Sequence, residues 1–262
     1  MANPTIRRLP RWLQPAGQAG LSASQLDQLT ALVMLAPLLL LLVAMVAYPF
    51  GQAIWMSLTD KKVGMAGSFV GLRNYSDLTH DPIFWKTARN SVTYTALAVA
   101  LKLVLGMALA LVLNRIRQFR GFLRSVVVLP WVIPTAISAL VWAWVFNDMA
   151  GVLNWALVKM GIIKVAVPWL AHPVWSMAAI ITVNIWRGVP FFGISLLAGL
   201  QAIPAELYEA ATIDGAGPAQ SFRYVTLPAL KNVIGITTLL SIIETLGDFQ
   251  LVWILTRGGA DH

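Results

Sequence analysis

Four ionisable side chains, Lys102, Arg187, Glu244 and Asp248, interrupt stretches of sequence that otherwise hold almost no charge. A charge at the centre of a bilayer costs about 2.5–3.5 kcal/mol on insertion scales, so such residues pair with one another or line a polar path. Two chemistries fit them. One is a buried structural ion pair. The other is a polar lining, in which carboxylates accept hydrogens from a hydroxylated solute and Trp142, Trp144, Phe191 or Phe192 stacks on its ring. A second cluster sits between apolar runs as "EAATIDGAG", with Glu209, Ala210, Ala211, Asp214, Gly215 and Ala216. Pro204 and Glu206 suit the first turn of a helix there, and Gly215 is a natural stop. The two alanines leave a surface that another backbone can approach closely. A second short helix, "PAQSFRYV", is expected to end at Pro228. Spacing alone leaves a plain connector between two spans as an equal reading of this segment.

Composition narrows the class. Of 262 residues 58% are hydrophobic and 11% charged, and mean hydropathy is +0.72, against about 25% charged residues in ordinary soluble domains. This composition belongs to an integral membrane protein. The chain holds no cysteine, and His80, His172 and His262 are scattered without metal-ligand spacing, so no metal site is expected. A net charge of +8 would suit nucleic acid, but the basic residues flank apolar runs as cytoplasmic loops do, and no nucleic-acid partner is expected. No Gly-x-x-x-x-Gly-Lys-Ser/Thr segment is present, so the chain cannot itself hydrolyse ATP through a P-loop.

An all-α membrane fold must position these groups. Five stretches approach the roughly 20 apolar residues that a spanning helix needs, at about 30–50, 91–113, 125–146, 174–200 and 232–255. A polar leader, 1–29, precedes them. Counting ~1.5 Å per residue puts Lys102 about 17 Å inward from Ser91, Arg187 about 20 Å from Val174 and Glu244 about 17 Å from Leu255, all near mid-membrane. Asp248 would lie one turn from Glu244 on the same face. Pro190 beside Gly188 is a place for the fourth helix to loosen, which a bilayer tolerates only where the freed carbonyls face protein or water. The connector "NRIRQFRGFLR" holds Arg115, Arg117, Arg120 and Arg124 without an acid, and the leader holds Arg7, Arg8 and Arg11. Both therefore belong in the cytoplasm by the positive-inside rule, with 51–90 and 147–173 outside and 201–231 inside. The outer segment "GVLNWALVKMGII" reads as an interfacial amphipathic helix, followed by the proline-bounded "PWLAHP".

The stretch "EAATIDGAGPAQSFRYVTLPAL", residues 209–230, resembles the cytoplasmic EAA loop of binding-protein-dependent ABC transporter permeases. "GLRNYSDL", "DPIFWKTARNSVTYT", "LPWVIPTAISALVWAWVF", "NIWRGVPFF" and "LAGLQAIPAELYEAA" extend the resemblance over nearly everything after residue 30 and narrow it to the sugar-permease branch, similar to the maltose and glycerol-phosphate systems. The resemblance implies an inner-membrane, multi-pass subunit with the type-1 importer fold and a cytoplasmic amino terminus. It works with a second permease subunit, a dimer of ATP-binding subunits and an extracytoplasmic solute-binding protein. The substrate is a sugar, and ATP is bound on the partner ATPase, not on this chain. Loop 201–231 then becomes the coupling part, with Glu209, Ala210, Ala211, Asp214, Gly215 and Ala216 docking on the ATPase. The family pattern continues past "LTRGG" with a proline and a sixth span; here Ala260 stands at the proline position and five spans are expected.

Two further expectations follow. Arg187 and Glu244, at equal depth on consecutive spans, are expected to pair, because an unpaired charge there is costly. The rival to an ATP-driven permease is a proton- or ion-coupled secondary carrier, in which Glu244 and Asp248 would be the coupling site.

Overall fold

The computed structural model describes residues 23–258 apart from 63, 66 and 117. The leader arginines Arg7, Arg8 and Arg11, and also Arg117, Ala260 and His262, lie outside the described residues. The chain divides after Phe84 into two compact units.

In the first unit, α1 (Ala23–Leu42) runs through a widened π turn, Val43–Ala47, into α2 (Tyr48–Ser57). The expected span 30–50 is therefore part of a longer helical run that passes straight through Pro49. The π turn explains this: Tyr48 donates to the carbonyl of Val43, five residues back, and the wider turn relieves the clash between a following proline ring and the preceding turn. After α2 the chain folds back through an isolated bridge between Thr59 and Phe69, with Trp55 stacked on Phe69. The Asn74 side chain ties α3 (Arg73–His80) to this corner by donating to the carbonyls of Ser57 and Thr59.

The second unit holds the long helix α4 (Pro82–Arg115), then α5 (Arg120–Val132), α6 (Thr135–Val145), α7 (Val152–Lys159) and α8 (Pro173–Gln201). Next come the short α9 (Ala205–Ile213) and α10 (Pro218–Ser221), a second π turn over Phe222–Thr226, α11 (Leu227–Leu246) and α12 (Phe249–Thr256). Among the described residues of the chain, four helices are long and apolar enough to cross a membrane, or five if the bent pair α5 and α6 is one span.

Three expectations are corrected here. The third span is not one helix: α5 and α6 meet at 87° across the break at Ile133–Pro134, where Pro134 has no amide hydrogen to continue the ladder. The fifth span is not 232–255: an apolar helical run over Pro218–Leu246 ends at Gly247, and α12 starts afresh. Pro228 does not break the helix before it, because Leu227 donates back to Phe222 in the π turn and makes room for the ring, as happens before Pro49. Pro190 likewise leaves α8 continuous and is itself buried.

Two apolar clusters build the second unit. One gathers Ala98, Ala139, Phe146, Ile180, Val183 and Leu251. The other gathers Met107, Ala110, Phe192, Leu196, Leu200 and Leu230, with Leu123 packed against it. Leu123 of α5 thus sits with the carboxyl-terminal end of α8, and Phe146, just past α6, sits with its amino-terminal half. The bent pair therefore travels from one cluster to the other, as a broken span does and a re-entrant loop does not. Small residues let α4 and α8 approach: a Cβ at Gly106 would overlap Phe192, and one at Gly193 would sit 2.6 Å from Leu109 Cδ2.

Candidate functional site

Between the two clusters lies a polar layer. Asn184, Arg187 and Gly188 of α8 follow Val183 of the first cluster and precede Phe192 of the second. Both helix breaks fall at this level, with Thr135 just after one and Gly247 and Asp248 at the other. A cavity of about 340 Å³ opens there. Lys102, Arg187, Glu244 and Asp248, the four residues singled out by sequence, all line it, as do Asn184 and Thr245. A discontinuous helix at mid-depth is the usual device for presenting backbone and cap groups to a solute inside a membrane.

The pairing differs from the expected one. Arg187 does not pair with Glu244; its Nη1 lies 3.9 Å from Asp248 Oδ2. The break explains the exchange. Had α11 continued, Asp248 would have stood one turn beyond Glu244 on the same face; instead Gly247 ends the helix and Asp248 becomes the N-cap of α12, its Oδ1 accepting from the amide of Leu251 at 3.2 Å. This turns Oδ2 toward α8, where Asn184 Nδ2 also donates to it at 3.4 Å. One carboxylate thus starts a helix and joins it to α8. Lys102, buried at 4% exposure, donates to Thr245 Oγ1 at 2.9 Å. Its aliphatic stem lies across Gly188, where any Cβ would overlap Lys102 Cδ, so the glycine is the space that admits the lysine. Glu244 is exposed at the cavity wall within electrostatic reach of Lys102, and makes no hydrogen bond or ion pair among the described residues.

Among the described residues, several buried polar atoms in and beside the layer have no hydrogen-bond partner: Asn184 Oδ1, Arg187 Nε and Ser138 Oγ. Such atoms are normally satisfied, so they mark room for water or a hydroxylated guest. Of the aromatic residues named from sequence, Phe192 is fully buried, Trp142 packs edge-on against Trp186, and Trp144 is exposed away from the cavity wall. Trp131, which sequence reasoning passed over, lines the cavity and is braced by Phe191 stacked at 6.0 Å.

At the far end of α8, segment 201–231 forms a helix–turn–helix. Pro204 precedes α9 as its N-cap, and Glu206 occupies the first turn. Asp214 closes the helix, and Gly215 takes φ +78°, the left-handed conformation that allows the amide of Ala216 to return to the carbonyl of Ala211 at 2.8 Å. The amide of Gly217 donates to Gln220 Oε1, which starts α10. Tyr208 and Thr226 share a hydrogen bond at 2.9 Å that holds α9 to the π turn below α11. Glu209, Ala210, Asp214 and Gly215 are exposed, while Ala211 and Ala216 are half-buried. Ile213, unremarked in the sequence, stands 86% exposed beside them, and its signal was an aliphatic residue inside a polar island.

Beyond residue 147, Asn154 of α7 is 4% exposed and holds the loop together. Its Oδ1 accepts from the Val167 amide and from Trp169 Nε1, and its Nδ2 donates to the carbonyls of Val167 and Asp148.

Residues 102–260 match the family model described as the inner membrane component of binding-protein-dependent transport systems. The chain belongs to this family. It is a permease subunit and a multi-pass membrane protein, not itself an enzyme. Among its relatives is the trehalose/maltose transport system permease protein MalF of Thermococcus litoralis, 39% identical over 87% of this chain and 77% of that protein. Another is the sulfoquinovosyl glycerol transport system permease protein SmoG of Agrobacterium fabrum, 34% identical over 97% and 80%. The solved bacterial ABC transporter that imports the acidic polysaccharide alginate shares the fold, with a TM-score of 0.74 at 24% identity over 89% of this chain and 79% of its own.

Proposed function

We propose that this permease forms the path of an ATP-driven saccharide importer in the inner membrane, with the polar layer as the place where the solute crosses and segment 201–231 as the part that engages a cytoplasmic ATPase. The layer carries the reading: a cavity at the level of two helix breaks, walled by uncommitted hydrogen-bonding atoms and one braced tryptophan, suits a polyhydroxylated ring. The solutes for which the relatives are named, trehalose, maltose and sulfoquinovosyl glycerol, support the same class. An extracytoplasmic binding protein would deliver the sugar, and a second permease would complete the path.

In this reading α9 seats in a groove of the ATPase. Glu209, Ala210 and Asp214 present a narrow polar face, and Ile213 adds an apolar tip. The Tyr208–Thr226 bond ties α9 to the continuous helical run Pro218–Leu246, and the short turn at 202–204 leads α9 from α8, so motion of the loop passes to helices that wall the cavity. The test is reconstitution with the binding protein, the second permease and the ATPase in liposomes. Accumulation of labelled sugar should require ATP and the binding protein. Accumulation that follows an imposed proton or sodium gradient without ATP would establish the carrier reading instead.

A further inference from the structure

The charges that face the cavity are committed unequally. Arg187 is engaged by Asp248, and Asp248 is further occupied by Asn184 and by the α12 amide. Lys102 is buried, donates to Thr245 and is held down across Gly188. That leaves the carboxylate of Glu244, exposed at the cavity wall with no hydrogen bond or ion pair among the described residues and reached by Lys102 only through space. The four charges sum to zero, and among the described residues each cation lining the cavity is engaged, Lys102 by Thr245 and Arg187 by Asp248 through Nη1, with the Arg187 Nε–H buried and without a partner.

We propose that the cavity selects an uncharged sugar over a uronate or sulfonate of the same shape, and that Glu244 is the residue that sets this preference. The proposal rests on the reading of the polar layer as a saccharide path and deepens it. The question is open for this fold, because its relatives are named for neutral sugars, trehalose and maltose, and for sulfoquinovosyl glycerol, which bears a sulfonate. A free carboxylate is suited to neutral sugars: its two oxygens accept hydrogens from neighbouring ring hydroxyls in bidentate fashion. The same group repels a carboxylate or sulfonate brought into a water-poor space, where screening is weak. Arg187 keeps an unpartnered Nε–H, but that atom is buried, and Asp248 already offsets the guanidinium charge. Thr245, adjacent to Glu244, is already turned to Lys102, so the lysine cannot swing out without abandoning its bond. Trp131 supplies the apolar face against which one ring can lie.

The experiment uses the permease–ATPase complex in nanodiscs without its binding protein, so that the cavity alone discriminates. Saturation-transfer NMR compares methyl α-glucoside with methyl α-glucuronoside, and import of a neutral and an anionic saccharide is followed in the reconstituted system. The glucoside should bind about tenfold more tightly than the glucuronoside. Glu244→Gln should bring the two within about threefold by relieving the repulsion, and Glu244→Lys should reverse the order. A glucuronoside that binds as well as the glucoside to the unaltered complex overturns the proposal without any variant. An unchanged ratio in both variants, or no transfer to either sugar while sugar import persists, also overturns it and leaves the transport reading standing. Failure to bind or import any saccharide would overturn the transport reading itself.

Discussion

At the scale of the residue, Asp248 separates two roles that a single substitution would confuse. Asn caps a helix about as well as Asp but cannot neutralise an arginine, whereas Ala does neither. Asp248→Asn should therefore lose the pair alone, destabilising the subunit by about 1–3 kcal/mol because Arg187 is left half-buried and unanswered. Asp248→Ala should lose about 1 kcal/mol more. Adding Arg187→Met should recover much of the Asn deficit and little of the cap deficit, measured as thermal unfolding in detergent. A cycle between Arg187 and Glu244 should show coupling below about 0.5 kcal/mol; a larger value there would restore the pairing that depth counting alone suggests. Asn154 gives a simpler prediction. Asn154→Ala leaves the Val167 amide and the Trp169 indole without their acceptor, at about 1–3 kcal/mol in all, and should speed amide exchange across 148–169 while leaving α8 unchanged.

At the scale of the element, sequence and structure agree where hydrophobic length decides and part where proline does. Spans at 91–113 and 174–200 were legible because their apolar length is uninterrupted by a helix end, and α4 and α8 contain them. The four intramembrane charges were legible as a group because charge is conspicuous among apolar residues. Their pairing was not, since it depends on Gly247 ending α11 and turning Asp248 by more than a helical count allows. Pro134 breaks its span, while Pro49 and Pro228 stand two residues beyond a π turn and Pro190 sits inside a continuous α8. Such a turn arises from one extra residue in a helix. Deleting Val225 together with Pro228→Ala should restore a regular ladder and rotate α9 by about 100° about α11. The expected result is a stable, inserted subunit whose ATPase activity no longer responds to solute. Pro228→Ala alone should leave coupling near that of the unaltered subunit. If the deletion also leaves coupling intact, the orientation of α9 does not matter for docking.

At the scale of the whole molecule, the second unit is two apolar seals with a polar layer between them, and access to the layer must alternate if the unit is a transport path. The chain has no cysteine, so single cysteines report access without background from this subunit. Thr135→Cys and Gln250→Cys place a thiol on the cavity wall; Ala139→Cys and Leu196→Cys place one in the two seals, where the native side chains are fully buried. In the assembled transporter a small, charged, membrane-impermeant thiol reagent should modify the first two at least tenfold faster than the last two, because only a hydrated thiolate reacts. If segment 201–231 engages the ATPase as proposed, the side from which Thr135→Cys is reached should change when a non-hydrolysed ATP analogue and the loaded binding protein are added, because the segment runs on into α11 at the cavity wall. Ile213→Asp, which adds charge at the exposed tip of α9, should abolish that change of side while leaving basal labelling of Thr135→Cys intact. Equal labelling at the wall and in the seals would remove the two-seal description. Labelling confined to the wall that keeps one side under every condition would leave the cavity in place and detach it from the ATPase.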